Sequence, residues 1–114
     1  MEMHQIRYFL ALCQELNFTR AAKRCHVAQP SLTNAVKRLE RALGAALFER
    51  RPNSTRLTAF GQALRPHFEL LDQCANKARR EAERFLGRAR AKRRLARAAR
   101  GSTSSGKSGE RASC

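Results

Sequence analysis

The sequence predicts a mainly α-helical fold: a winged helix-turn-helix of three helices plus a two-stranded wing, then a long dimerisation helix and a disordered basic tail. Three observations carry this. Apolar residues recur at steps of three and four through successive segments as far as Leu43. A basic, turn-rich stretch, Arg50-Arg51-Pro52-Asn53-Ser54, is bracketed by Leu47-Phe48 and Leu57. After Thr58 a heptad-like apolar spacing persists for three heptads.

The first helix spans about residues 3–16, where Ile6, Phe9, Leu10, Cys13 and Leu16 form one apolar stripe. Asn17-Phe18-Thr19 interrupts it, and the Thr19 hydroxyl suits an N-cap for a second helix through Ala21, Ala22 and Cys25. The small residues of that helix let a neighbour approach closely. His26-Val27-Ala28 makes a short connection. A third helix opens at Gln29-Pro30, where a proline in the first turn loses no hydrogen bond. Its stripe is Leu32, Ala35, Val36, Leu39 and Leu43, its other face Pro30, Thr33, Asn34, Lys37 and Arg41, and Gly44 ends it. Two short strands around the Arg50–Ser54 turn make the wing. Thr58 caps a fourth helix with Leu64, Phe68, Leu71, Ala75, Ala78, Ala82 and Phe85 spaced 4, 3, 4, 3, 4, 3, and Pro66 near its start. That seam belongs to a helix of about 28 residues, roughly 40 Å long, more than a small domain covers, so it predicts a homodimer or higher oligomer. The boundaries expected are 1–58 for the winged domain, 59–87 for the linker helix and 88–114 for a low-complexity tail.

Charge narrows the partner. The 114 residues carry a net charge of +15, from 24 Lys+Arg against 9 Asp+Glu. Residues 77–100 alone hold eleven Lys/Arg and two Glu. Such a balance points to a polyanion, nucleic acid first. Cys13, Cys25, Cys74 and Cys114 form no C-x-x-C pair and no metal spacing, and Cys13 and Cys25 fall on apolar helix faces as small hydrophobes. His26 and His67 read as surface residues. No catalytic constellation, phosphate-cradling glycine loop, metal or other cofactor site or small-molecule effector site is indicated, so an enzyme is not expected. With no signal peptide and no long apolar run, a cytoplasmic protein without a membrane partner is the expectation.

Two helices joined by a short turn, the second with a polar and basic outer face, fit a helix-turn-helix that reads double-stranded DNA. Gln29 and Asn34 suit adenine, Thr33 a thymine methyl or base edge, and Lys37 and Arg38 guanine or phosphate. The full set of candidate DNA contacts is Thr19, Gln29, Pro30, Ser31, Thr33, Asn34, Lys37 and Arg38, with Arg50, Arg51 and Arg56 in the wing.

The run from Phe18 to Thr33 resembles the signature of LysR-type transcriptional regulators. So do Leu39-Glu40, Leu43-Gly44, Leu47-Phe48-Glu49-Arg50 and Leu57-Thr58 with Gly61, in order and without gaps, within a match covering about residues 3–86. The resemblance implies that Gln29, Pro30 and Thr33 enter the major groove and that the wing around Arg51–Arg56 meets the minor groove or the backbone. It implies pairing of two subunits through the linker helix. It also implies a two-lobed α/β effector domain, for which the text from Arg88 onwards has no pattern. Ala28 stands where the family often has Ser, and Asn34 where it often has a basic residue. Two other readings are a non-specific nucleic-acid binder driven by the basic tail, and a truncated partner that heterodimerises with full-length regulators.

Overall fold

The computed structural model describes residues 1–99, and the chain divides into two units at Lys77. The elements in order are α1 (Met3–Glu15), α2 (Phe18–Arg24), α3 (Gln29–Leu43), β1 (Phe48–Arg51), β2 (Ser54–Leu57) and α4 (Ala59–Ala99).

In the first unit, Met1–Lys77, each helix starts and stops where backbone chemistry allows. The N–H of Glu2 donates to Gln5 Oε1 at 3.0 Å, holding the entry to α1. Leu16 closes α1 in the left-handed region, φ 49°, its N–H on Leu12 O at 2.8 Å. The cap of α2 is Asn17, not Thr19: Asn17 is extended, and its Oδ1 accepts from Arg20 N at 2.8 Å. Asparagine caps at least as well as threonine, and starting two residues earlier puts Thr19 inside the first turn. Gly44 ends α3 at φ 99°, a conformation glycine adopts without a Cβ penalty.

Three helices pack around Phe9, Leu12, Leu32, Val36, Leu39 and Leu47, all fully buried. Ala21 and Ala22 are buried where α2 meets its neighbours, as their small size predicts. Phe9 is the aromatic hub, with Phe48 at 5.4 Å and Phe68 at 5.2 Å between ring centroids, the latter edge-on. The wing is a two-stranded antiparallel sheet with Phe48 opposite Leu57 and Arg51 opposite Ser54. Its two-residue connection, Pro52-Asn53, has no positive φ, so it is not one of the primed turns that favour long hairpins. Strands of four residues each fit that geometry.

Thr58 caps α4 as expected. Its hydroxyl accepts from Gly61 N at 3.0 Å and donates to Ala46 O at 2.8 Å, tying the helix start to the loop before β1. Gly61 is buried, and a Cβ there would stand 2.5 Å from Leu47 O and 2.7 Å from Leu57 Cδ1.

Two expectations for α4 need correcting. Phe68, placed in the dimer seam, is 3% exposed and packs on Phe9 of its own domain, and Leu64 is half-buried against the same core. The first turns of α4 complete the domain, so the heptad spacing there records intramolecular packing. The second correction concerns length: the helix does not stop at Gly87 but runs on to Ala99. Arg, Ala, Lys and Leu are among the strongest helix formers, and one interior glycine costs only about 1 kcal/mol. The second unit begins at Ala78, and its described part is helix to Ala99. The tail expected to be disordered falls, in its last part, outside the described residues.

Candidate nucleic-acid interface

The buried stripe of α3 fixes what its other side presents. Leu32, Ala35, Val36 and Leu39 face the core. At 3.6 residues per turn, Pro30, Asn34, Lys37 and Arg41 take the opposite side, and all four are exposed. Gln29 and Thr33 flank this row on one edge, Ser31 and Arg38 on the other; Gln29, Ser31 and Arg38 are exposed as well. Every α3 residue picked from the sequence therefore reaches or borders one surface. Arg41 belongs to that surface too and was not among the chosen contacts.

Thr33 differs from its neighbours. It is half-buried, and its Oγ1 is covered and has no hydrogen-bond partner among the described residues. The hydroxyl is thus not displayed as a ready base-edge donor.

The wing stands beside the start of α2. Phe18, Thr19, Arg50, Arg51, Asn53 and Thr55 are among the residues around an open cleft of about 450 Å³. This brings Thr19 and the wing arginines together, although 31 positions separate Thr19 from Arg50 in the chain. The three wing arginines are not equivalent. Arg50 lies over the Phe18 ring, its guanidinium carbon 4.7 Å from the centroid, and its Nη2 is 3.9 Å from Glu40 Oε1. Arg51 pairs with Glu49 at 3.3 Å. Arg56 is exposed and opposite Glu49 across the ladder. Arg50 is the most restrained of the three, held by a cation–π contact and a distant carboxylate.

Glu40 is the residue that sequence reasoning passed over. Its Oε2 accepts from Leu47 N at 2.7 Å and from Phe48 N at 3.3 Å, and its side chain is only 15% exposed. One carboxylate on the recognition helix thereby holds the first residues of the wing, fixing the two elements against each other. The available signal was a carboxylate directly after the core position Leu39. A second tie runs from Glu15 on α1 to Arg20 (3.4 Å) and Arg24 (3.0 Å) on α2. Among the described residues there is no grouping of three or more His, Cys, Asp or Glu that could hold a metal, and no helix is long and apolar enough to cross a membrane.

Known proteins share this arrangement. Residues 3–62 match the family described as bacterial regulatory helix-turn-helix protein, lysR family. The Hca operon transcriptional activator HcaR of Escherichia coli is 42% identical over 77 residues, 67% of this chain and 26% of that protein. Among solved structures, a BenM_DBD/catB site 1 DNA complex superposes with a TM-score of 0.71 at 30% identity, covering 75% of this chain and 97% of that one. A CbnR_DBD–DNA complex does so with 0.70 at 34%, covering 75% and 99%. The chain thus spans about a quarter of the length of HcaR and nearly all of the two isolated DNA-binding domains. With more than half of its residues matched to that family, the chain belongs to the lysR family of bacterial regulatory helix-turn-helix proteins.

Proposed function

We propose that this chain is a sequence-specific, duplex-DNA-binding transcriptional regulator that acts in the cytoplasm as a homodimer. The exposed row on α3 carries the reading: Pro30, Asn34, Lys37 and Arg41 on a helix anchored by Leu32, Val36 and Leu39. Such a row in the major groove supplies an amide group for adenine, from Asn34, and cations for guanine or phosphate. Arg51 and Arg56 of the wing, with Thr19 at the start of α2, add contacts to the adjoining backbone or minor groove. DNA complexes of the BenM and CbnR domains support the same docking here. Subunits pair through the exposed part of the α4 seam, where Leu71 is 41% and Phe85 68% exposed. Two recognition helices then read the two half-sites of an interrupted inverted repeat.

Selection of binding sites from a random duplex pool, followed by gel shift, tests this. Enriched sites with two related half-sites are expected, bound more tightly than scrambled duplexes at about 150 mM salt. Equal binding to every duplex would exclude base reading.

A further inference from the structure

The helical stretch beyond Gly87 reads Arg88-Ala89-Arg90-Ala91-Lys92-Arg93-Arg94-Leu95-Ala96-Arg97-Ala98-Ala99, six cations and not one carboxylate. Because this stretch is helix, four of the cations fall into register. Arg90, Arg93, Arg94 and Arg97 stand at i, i+3, i+4 and i+7, a single stripe along one side. All four are exposed. Earlier in α4 the arginines have acidic neighbours, Arg65 with Glu69 at 3.1 Å and Arg84 with Glu81 at 2.6 Å. No ion pair joins the four stripe arginines to a carboxylate among the described residues. Like charges at these spacings weaken a helix by about 0.2–0.5 kcal/mol per pair, so the stripe opposes the helix that displays it. A surface of this kind is complemented by a closely spaced row of negative charge.

We infer that the Arg90–Arg97 stripe is a second nucleic-acid contact, a clamp on the phosphate backbone of duplex DNA outside the base pairs that α3 reads. This rests on the proposal that the chain binds DNA through α3, and it adds a separate, sequence-independent component. The dimensions agree. Seven residues of helix rise about 10 Å, and each strand of duplex DNA carries one phosphate per about 3.4 Å of axis, so about three phosphates of one strand lie along the length of the four guanidinium groups. An anionic membrane is the weaker match. The side opposite the stripe offers one large apolar residue, Leu95, among alanines, and Arg88 and Lys92 interrupt it. A helix lying in a bilayer interface needs a continuous face of large apolar side chains.

The test compares the full chain with its R90Q/R93Q/R94Q/R97Q variant, with helix content followed by circular dichroism. Binding to a selected duplex and to a scrambled one is titrated from about 50 to about 300 mM salt. The slope of log Kd against log salt is expected to be shallower in the variant by about 3–4 per bound protomer. The ratio of selected to scrambled affinity should stay the same. An unchanged slope with retained helix overturns the inference. Loss of selectivity in the variant also overturns it, because the stripe would then be reading bases. If the wild-type chain shows no selectivity at all, the α3 reading fails, while the slope difference still decides the clamp. A third arm uses phosphatidylglycerol vesicles: stripe-dependent sedimentation with an unchanged DNA slope would assign the stripe to lipid and overturn it.

Discussion

At the scale of single residues, Glu40 makes the sharpest prediction. It accepts from two backbone N–H groups at the entrance to the wing, and replacing it with alanine leaves both without that partner. Stranding a buried donor costs about 1–3 kcal/mol, so Glu40→Ala should lower unfolding stability by that order in a urea titration, whereas Glu40→Gln, which keeps an acceptor, should lose less. Equal losses would mean that charge rather than hydrogen bonding holds the wing. Thr33 predicts the opposite sign. Its covered hydroxyl is unpartnered, so Thr33→Val should leave stability unchanged or raise it by up to about 1 kcal/mol. Discrimination for thymine at the facing base pair should survive, because the remaining contact is a methyl group. Cys13 behaves as a buried apolar residue. Burial pushes its thiol up to about 11 from an ordinary 9.0, with Arg65 opposing and Glu69 assisting. The folded state thus holds the proton more tightly than the unfolded chain. The stability this contributes is fully present below pH 9 and is lost as pH rises through about 11. Cys13 should therefore resist alkylation at about pH 8 while exposed Cys74 reacts, as peptide mass mapping would record.

At the scale of elements, what could be read from the sequence tracked how local the determining physics is. The stripe of α3 and its terminating Gly44 were legible, since periodicity and a left-handed C-cap are written within about four residues of where they act. The competition between Asn17 and Thr19 for the α2 cap was not, because both are good caps and the register of the helix decides between them. The end of α4 was also misplaced. Gly87 looks like a stop only when propensity on both sides is weak, and here Arg-Ala text carries the helix through. Hardest to see were contacts across the fold: Glu40 with the wing, Arg50 over Phe18, and the close approach at Gly61. Gly61 is where an element-scale prediction follows. A methyl group there would meet a backbone oxygen and the Leu57 side chain at the junction of wing and α4. Gly61→Ala should cost about 1–3 kcal/mol, the usual range for overpacking, even though alanine favours helix. A denaturation midpoint equal to wild type would show that the junction can open without cost.

For the whole molecule, the corrected seam changes which residues would join two copies in the proposed homodimer. Leu64 and Phe68 are committed to their own domain, which leaves Leu71, Ala75, Ala78, Ala82 and Phe85 of the expected residues for a partner. Leu70 and Leu86, 58% and 43% exposed, are further apolar surface on the same helix. The two groups separate experimentally. Phe68→Ala removes a buried ring and should destabilise the monomeric fold by about 3–5 kcal/mol. A double change of Leu71→Glu and Phe85→Glu touches only exposed positions and should leave the domain folded. Sedimentation equilibrium should show the wild-type chain as a dimer at micromolar concentration and the double variant as a monomer. Because a dimer presents two recognition helices, the variant should also lose most affinity for an inverted repeat while keeping its preference for a single half-site. If the double variant remains dimeric and still binds the repeat, the subunits pair through a different surface.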